Sequence, residues 1–171
     1  MDRDTAHTHR YAIRDVETTD LDAVLALNEA VVPAVNSIDL EQMRWFAGHA
    51  EYFRVAASGH EIGAFLIGLR PGTVYTSPNY RWFCEHFDDF GYIDRVAVAA
   101  QARRQGLASL LYADFTAALP RDVTLMTCEV NLRPPNDTSM RFHEAQGFRQ
   151  VGSQLIDGGD KEVALMARQL R

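Results

Sequence analysis

Residues 92–108 carry the most information about the fold, and they read YIDRVAVAAQARRQGLA. The apolar residues of 92–98 predict a β-strand. A short loop then leads to Arg103, and from Leu107 onward apolar side chains recur at helical spacing until Pro120. We therefore expect a strand, a basic loop and the chain's clearest helix in direct succession.

The loop before this helix has the features of an anion-binding site. The first turn of a helix presents free backbone N–H groups and the positive end of the helix dipole, and Gly106 would let a phosphate approach the backbone. Arg103 and Arg104 oppose that dipole, so they need an anion to offset them. The loop predicts a diphosphate cradle, and the alternative is a basic helix terminus without a ligand.

The chain before this stretch predicts one strand, two helices and a hairpin. Apolar spacing and N-caps indicate a strand at 11–16 and a connected helix pair between 20 and 48. Two short apolar runs within 53–69 flank a turn and predict the hairpin. Residues 70–90 combine prolines with many aromatic side chains, and we expect an ordered loop near a site there.

The chain after this stretch predicts a strand, a helix and a second hairpin. Residues 123–130 are rich in β-formers, and Asn136 can cap a helix that ends near Gly147. Residues 148–170 then form two strands around a glycine-rich turn. The predicted order is βααβββαβαββ, an α/β fold in which helices flank a mixed sheet.

Composition limits the possible functions. With 171 residues and 47% hydrophobic side chains, residues 1–171 predict a single domain with a real core. The net charge of −6 disfavours nucleic acid as a partner, and no apolar run approaches the ~18 residues that cross a membrane. We expect a cytoplasmic protein. Because Lys161 is the only lysine and Asp160 precedes it where the P-loop motif G-x-x-x-x-G-K needs a glycine, P-loop chemistry is excluded.

Neither cysteine nor histidine spacing indicates a metal site. Cys84 and Cys128 form no C-x-x-C pair and predict ordinary thiols. His143-Glu144 lacks the second histidine of a zincin motif, because Gly147 stands in its place. The sequence predicts a protein without a metal.

Two motifs resemble the GNAT family, the Gcn5-related N-acetyltransferases. The hexapeptide RRQGLA at 103–108 is similar to the family's R/Q-x-x-G-x-G/A signature, whose loop grips the pyrophosphate of acetyl-CoA. The segment 131–148, which ends in Phe142-His143-Glu144 and Gly147-Phe148, resembles the family's fifth strand and the helix after it. The predicted element order agrees with this fold, so the resemblance covers nearly the whole chain.

The resemblance implies a set of cofactor-binding residues. Val96 and Val98 would offer backbone groups to the pantetheine arm, which binds like an added strand. On the helix after Asn136, residues at i, i+3 and i+7 form a polar stripe suited to a bound cofactor. The remaining residues that we assign to acetyl-CoA binding are Arg103, Arg104, Gln105, Gly106, Leu107, Ala108, Ser109, Asn131, Asn136, Ser139 and Phe142.

Two residues are the candidate catalytic groups. His143 occupies the position where many family members have a tyrosine that protonates the departing thiolate, and an imidazolium could do the same. Asp94 shares a predicted strand face with Val96 and Val98 and is the first candidate for the base, with Glu129 second. The alternatives are a structural histidine and an ion pair between Asp94 and an arginine.

These residues together predict acetyl transfer from acetyl-CoA to an amine by direct attack. The aromatic residues of 70–90 and the carboxylates near them predict a small amine acceptor with an apolar body. The alternative function is an acyl-CoA-binding regulatory module without competent acid and base groups. The sequence also allows a homodimer.

Overall fold

The computed structural model describes residues 10–171, which form one mixed sheet with helices packed against it. The first nine residues of the predicted domain, 1–171, lie outside the described residues. The strands are β1 Ala12–Asp15, β2 Tyr52–Ser58, β3 Glu61–Leu69, β4 Gly91–Val98, β5 Leu125–Arg133, β6 Arg149–Ile156 and β7 Lys161–Gln169. The helices are α1 Leu21–Ala30, α2 Leu40–His49, α3 Pro78–His86, α4 Leu107–Ala118 and α5 Asp137–Ala145.

The sheet has the order β1-β2-β3-β4-β5-β7-β6, and its one parallel pair creates a gap. β4 and β5 pair only at Gly91 with Met126 and at Tyr92 with Thr127. Beyond these positions both strands continue without pairing to each other, so they splay apart. The remaining neighbours are antiparallel.

A β-bulge interrupts β4 beside this gap. Ile67 pairs with Arg95 and Gly68 pairs with Ile93, so Asp94 is the extra residue in β4. Strict alternation along the strand would direct Asp94 and Arg95 to opposite faces. At the bulge the two side chains instead meet in an ion pair of 2.7 Å.

Helix α3 was not expected from the sequence. Residues 70–90 are ordered, as predicted, but Pro78–His86 forms a helix, and the element order becomes βααββαβαβαββ. Ser77 accepts a hydrogen bond from the backbone of Tyr80, and Pro78 occupies the first turn, which are two ordinary start signals. The prolines and aromatic residues around them hid these signals in the sequence.

Helix α4 packs very closely on the sheet, and this contact places the basic loop. A Cβ on Gly68 would overlap the ring of Phe115, and one on Gly91 would overlap Leu119. Glycine at these two positions therefore lets α4 lie against β3 and β4. No helix within residues 10–171 has the length and apolar character needed to cross a membrane.

Candidate active site

A cleft of about 1380 Å³ opens where β4 and β5 splay apart. It has two ends, which we name by their residues. The loop end lies near Arg103 and Ala108, and the carboxylate end lies near Asp94 and Glu129. Residues 31–39, which join α1 to α2, and residues 74–79, at the start of α3, form walls of the same cleft.

The backbone at the loop end suits an anionic group. Gly106 has a φ of 72°, and a Cβ built on it would meet nothing within 4 Å. The first hydrogen bond of α4 runs from Leu110 N–H to the Gly106 carbonyl at 3.0 Å, so the N–H groups of residues 107–109 precede it and are free for a ligand. Left-handed backbone and open space at Gly106 fit the close approach of a phosphate.

Five of the predicted cradle residues do not line the cleft. Arg103 and Ala108 line it, whereas Leu107 is buried in the core and Ser109 accepts a hydrogen bond from Gln146 at 3.1 Å. Arg104, Gln105 and Gly106 lie on the same loop beside it. Residues 103–108 thus all lie at the loop end of the cleft, but a ligand would contact most of them through backbone atoms.

The free edge of β4 supplies the route between the two ends. Val96 and Val98 line the cleft, and on the other side β4 pairs with β3 at Leu66 and Ala64. Because β5 diverges here, backbone groups on the cleft side of β4 are available to an extended ligand. This arrangement suits a chain that contains amides.

The predicted polar residues of β5 and α5 also reach the cleft, but they have partners within the protein. Asn136 accepts from Ser139 N–H at 3.2 Å and so caps α5. Asn131 donates to the Pro33 carbonyl at 3.2 Å. Ser139 and Phe142 line the cleft on the same helix.

His143 belongs to α5, and its side chain connects this helix to α4. Its Nδ1 lies 2.8 Å from the Ser139 carbonyl, which can only accept, so Nδ1 carries the proton. Nε2 then accepts from the Tyr112 hydroxyl at 2.7 Å. Burial lowers the pKa of His143, which favours the neutral ring. Sequence analysis did not single out Tyr112, because it continues the helical pattern of α4 without a polar signal.

Asp94 is fully engaged within the protein. One carboxylate oxygen accepts from the Tyr75 hydroxyl at 2.7 Å, and the other accepts from Arg95 Nε at 2.7 Å. The side chains of Asp94 and Arg95 are each only 3% exposed. The ion pair that the sequence analysis kept as the alternative is therefore present.

Glu129 has the properties of a base that works near neutral pH. Its carboxylate lines the cleft and accepts from the Tyr92 hydroxyl at 2.8 Å. Burial, followed by the negative charge of Asp94, raises the pKa of Glu129 to about 8, although hydrogen bonds from Tyr92 and Asn79 oppose the shift. Among residues 10–171, no three histidine, cysteine or acidic side chains come together in a way that could hold a metal ion.

A cleft between splayed strands with a basic loop at one end is thus the main feature of the fold, and a comparison with known families identifies the class of protein. The model of the acetyltransferase (GNAT) family matches residues 28–148. The chain belongs to the GNAT acetyltransferase family. No curated protein sequence matches it significantly.

Solved structures of N-acetyltransferases share the fold. The ribosomal-protein-S18-alanine N-acetyltransferase of Escherichia coli is 18% identical, with 94% of each chain covered and a TM-score of 0.69. Naa20 of Chaetomium thermophilum, solved with a bisubstrate analogue, is 21% identical over 92% of this chain and 86% of that one, with a TM-score of 0.72. NAA60 of Arabidopsis thaliana is 15% identical over 93% and 97%, with a TM-score of 0.73.

Proposed function

We propose that the protein transfers an acetyl group from acetyl-CoA to the amine of a small acceptor by direct attack. The observation that carries this proposal is one continuous cleft with an anion-binding loop at one end and Glu129 at the other. The pyrophosphate would lie on the N–H groups of residues 107–109 and near Arg103. The pantetheine arm would run along the free edge of β4 toward the carboxylate end.

Glu129 is the proposed general base. An amine must lose a proton before its lone pair can attack the thioester carbonyl carbon, and a base with a pKa of about 8 accepts that proton at slightly alkaline pH. The new C–N bond gives a tetrahedral intermediate, and its collapse breaks the C–S bond and releases CoA thiolate. Asp94 is less suited to this task, because it is held in a buried ion pair with Arg95.

The thiolate must then gain a proton, and His143 is the donor predicted from the sequence. Its lowered pKa leaves little imidazolium at neutral pH, and both ring nitrogens are engaged with Tyr112 and Ser139. We therefore propose that His143 first positions α5 against α4 and makes at most a small contribution as an acid. Water then supplies most of the protons that the CoA thiolate takes up.

The carboxylate end supports a cationic acceptor with an apolar body. Trp45 and Tyr75 stack at 5.7 Å between centroids, and both line the cleft. Aromatic faces attract a cation by about 0.5–2 kcal/mol. An N-terminal amine of a peptide is a further acceptor class, since solved neighbours include a ribosomal-protein-alanine acetyltransferase.

A coupled assay of CoA release with three amines tests the proposal. Tyramine, spermidine and a tetrapeptide with N-terminal alanine represent an aromatic amine, a polyamine and a protein N-terminus. Turnover of at least one amine that falls on Glu129→Gln supports the enzyme. Acetyl-CoA binding without turnover of any amine would favour the regulatory module instead. This alternative is included because both ring nitrogens of His143 already have hydrogen-bond partners.

A further inference from the structure

Arg95 is a buried arginine that contacts one wall of the cleft. Its Nη1 donates to Asn28 Oδ1 at 3.0 Å and to the Asn36 carbonyl at 3.3 Å, and its Nη2 donates to Asn36 Oδ1 at 2.8 Å. Asn28 belongs to α1, whereas Asn36 lies in the segment 31–39 that joins α1 to α2. The guanidinium also lies 5.2 Å over the ring centre of Phe46 in α2. One side chain therefore ties this segment to β4.

The partner of Arg95 contacts a second wall of the cleft, formed by the segment that contains Tyr75. Asp94 receives Arg95 Nε on one oxygen and the Tyr75 hydroxyl on the other, each at 2.7 Å. Tyr75 belongs to the segment 70–77, between β3 and α3, and its ring contacts Trp45 and Tyr80. Both walls of the carboxylate end are thus hydrogen-bonded to the same ion pair, Asp94 with Arg95.

The β-bulge is what makes this arrangement possible. Consecutive residues of a regular strand point to opposite faces, which does not favour an ion pair between neighbours. The extra residue in β4 brings Asp94 and Arg95 together within the interior. Such a buried pair adds little stability compared with an apolar pair of similar size, whereas its directional hydrogen bonds can fix one geometry of the groups around it.

We infer that Arg95 is a positioning residue for acceptor binding, which holds residues 31–39 and, through Asp94, residues 70–77 in the geometry that forms the acceptor site. The inference rests on the proposed acyl transfer. It assigns Arg95 no contact with the reacting atoms. Loss of the Arg95 side chain would widen the carboxylate end of the cleft. The loop end would stay unchanged, because it lies farther along the chain, after the end of β4.

The test compares Arg95→Met with Arg54→Met. Met keeps the apolar stem of arginine and removes the charged fork. Arg54 is the control because it is a strand arginine that also donates to carboxylates, those of Asp15 and Asp114, but does not line the cleft. For Arg95→Met we expect the KM of the best amine among tyramine, spermidine and the alanine tetrapeptide to rise about tenfold or more, with the Kd of acetyl-CoA within twofold of the parent. Arg54→Met should change neither.

A second measurement does not need an acceptor. Amide hydrogen exchange of residues 31–39 and 70–77 should become faster in Arg95→Met and remain as in the parent in Arg54→Met, while residues 103–110 keep their protection in both. If Arg95→Met does not fold, Asn36→Ala removes only one acceptor of the fork and should raise KM in the same direction. Arg95→Lys keeps the positive charge beside Asp94 but lacks the forked guanidinium. The rise in amine KM should therefore be more than half as large as in Arg95→Met.

The two proposals fail in different ways. If the parent acetylates none of the three amines, the proposed function fails, and the exchange measurement still decides the role of Arg95. If the parent is active and Arg95→Met shows unchanged amine KM and unchanged exchange in both segments, Arg95 is a structural residue without influence on the acceptor site, and the inference is overturned.

Discussion

The loop end of the cleft is made by one continuous stretch of chain, whereas the carboxylate end is assembled from segments far apart in sequence. At the loop end, Gly106 and the first turn of α4 present backbone groups that depend on local conformation. At the carboxylate end, Glu129 accepts a hydrogen bond from Tyr92 of the neighbouring strand, whereas Asp94 and Arg95 depend on partners from residues 70–77, α1 and α2. The difference teaches that the cofactor half can be recognised from a motif, but the acceptor half requires the tertiary structure.

The largest expected effect is at the loop end, where Gly106→Trp should remove detectable acetyl-CoA binding. The indole would fill the open space that a phosphate oxygen needs. Gly59→Trp is a matched control, because Gly59 also has a positive φ, of 60°, and open space around its Cβ, yet lies in the β2–β3 turn. Calorimetry measures both variants. An affinity for acetyl-CoA within threefold of the parent in Gly106→Trp would overturn the cradle.

The next effect is at the carboxylate end, where Glu129→Gln should lower kcat by about 100-fold or more. This size corresponds to the usual contribution of a general base. Glu129 must be ionised to accept a proton, so kcat/KM of the parent should rise as pH increases through its pKa of about 8. The variant should lose that rise.

Glu144→Gln controls for the loss of a carboxylate. Glu144 is exposed on α5 and does not line the cleft, so its replacement should leave the pH profile as in the parent. A profile that rises near pH 8 in Glu129→Gln would assign the titration to a different group.

A smaller effect is expected at His143, which lies between the two ends. If His143 mainly positions α5, His143→Ala and Tyr112→Phe should both reduce stability by about 1–3 kcal/mol, because each leaves a buried polar group without its partner. Their kcat values should fall less than tenfold. Thermal unfolding and CoA-release assays measure the two quantities.

A different outcome at His143 would revive the general-acid assignment. In that case His143→Ala would lower kcat by more than 100-fold, His143→Tyr would retain activity, and Tyr112→Phe would keep most of the parent's turnover. The comparison of these variants therefore separates a chemical role from a positioning role.

The smallest effect should come from the charges of the loop. Arg103 lines the cleft and Arg104 does not, so Arg103→Ala should weaken acetyl-CoA binding about 3- to 10-fold and Arg104→Ala should weaken it less. Because the contact is electrostatic and exposed, the loss should shrink as salt rises. Titrations at two ionic strengths measure it. Equal losses for both arginines would show that only net charge matters.

Much of the fold follows from local patterns in the sequence. The strand–loop–helix unit at 92–118, the helix pair predicted between 20 and 48 and the hairpin of β6 and β7 all follow from apolar spacing, caps and turn residues, and the structure confirms them. Helix α3 was missed, since its start signals, Ser77 and Pro78, stand among residues typical of loops. The assignment of individual cofactor-binding residues remains a prediction.

The sequence by itself determined the family, the fold class and the place of the basic loop, because these follow from motifs and from the local conformation of neighbouring residues. Only the tertiary structure decided which carboxylate is available. Asp94 and Glu129 look alike in the sequence, but the bulge in β4 pairs Asp94 with Arg95, and burial beside that charge raises the pKa of Glu129 to about 8. The physical reason is that ionisation depends on solvent exclusion and on charges nearby in space, and both arise from contacts between distant parts of the chain.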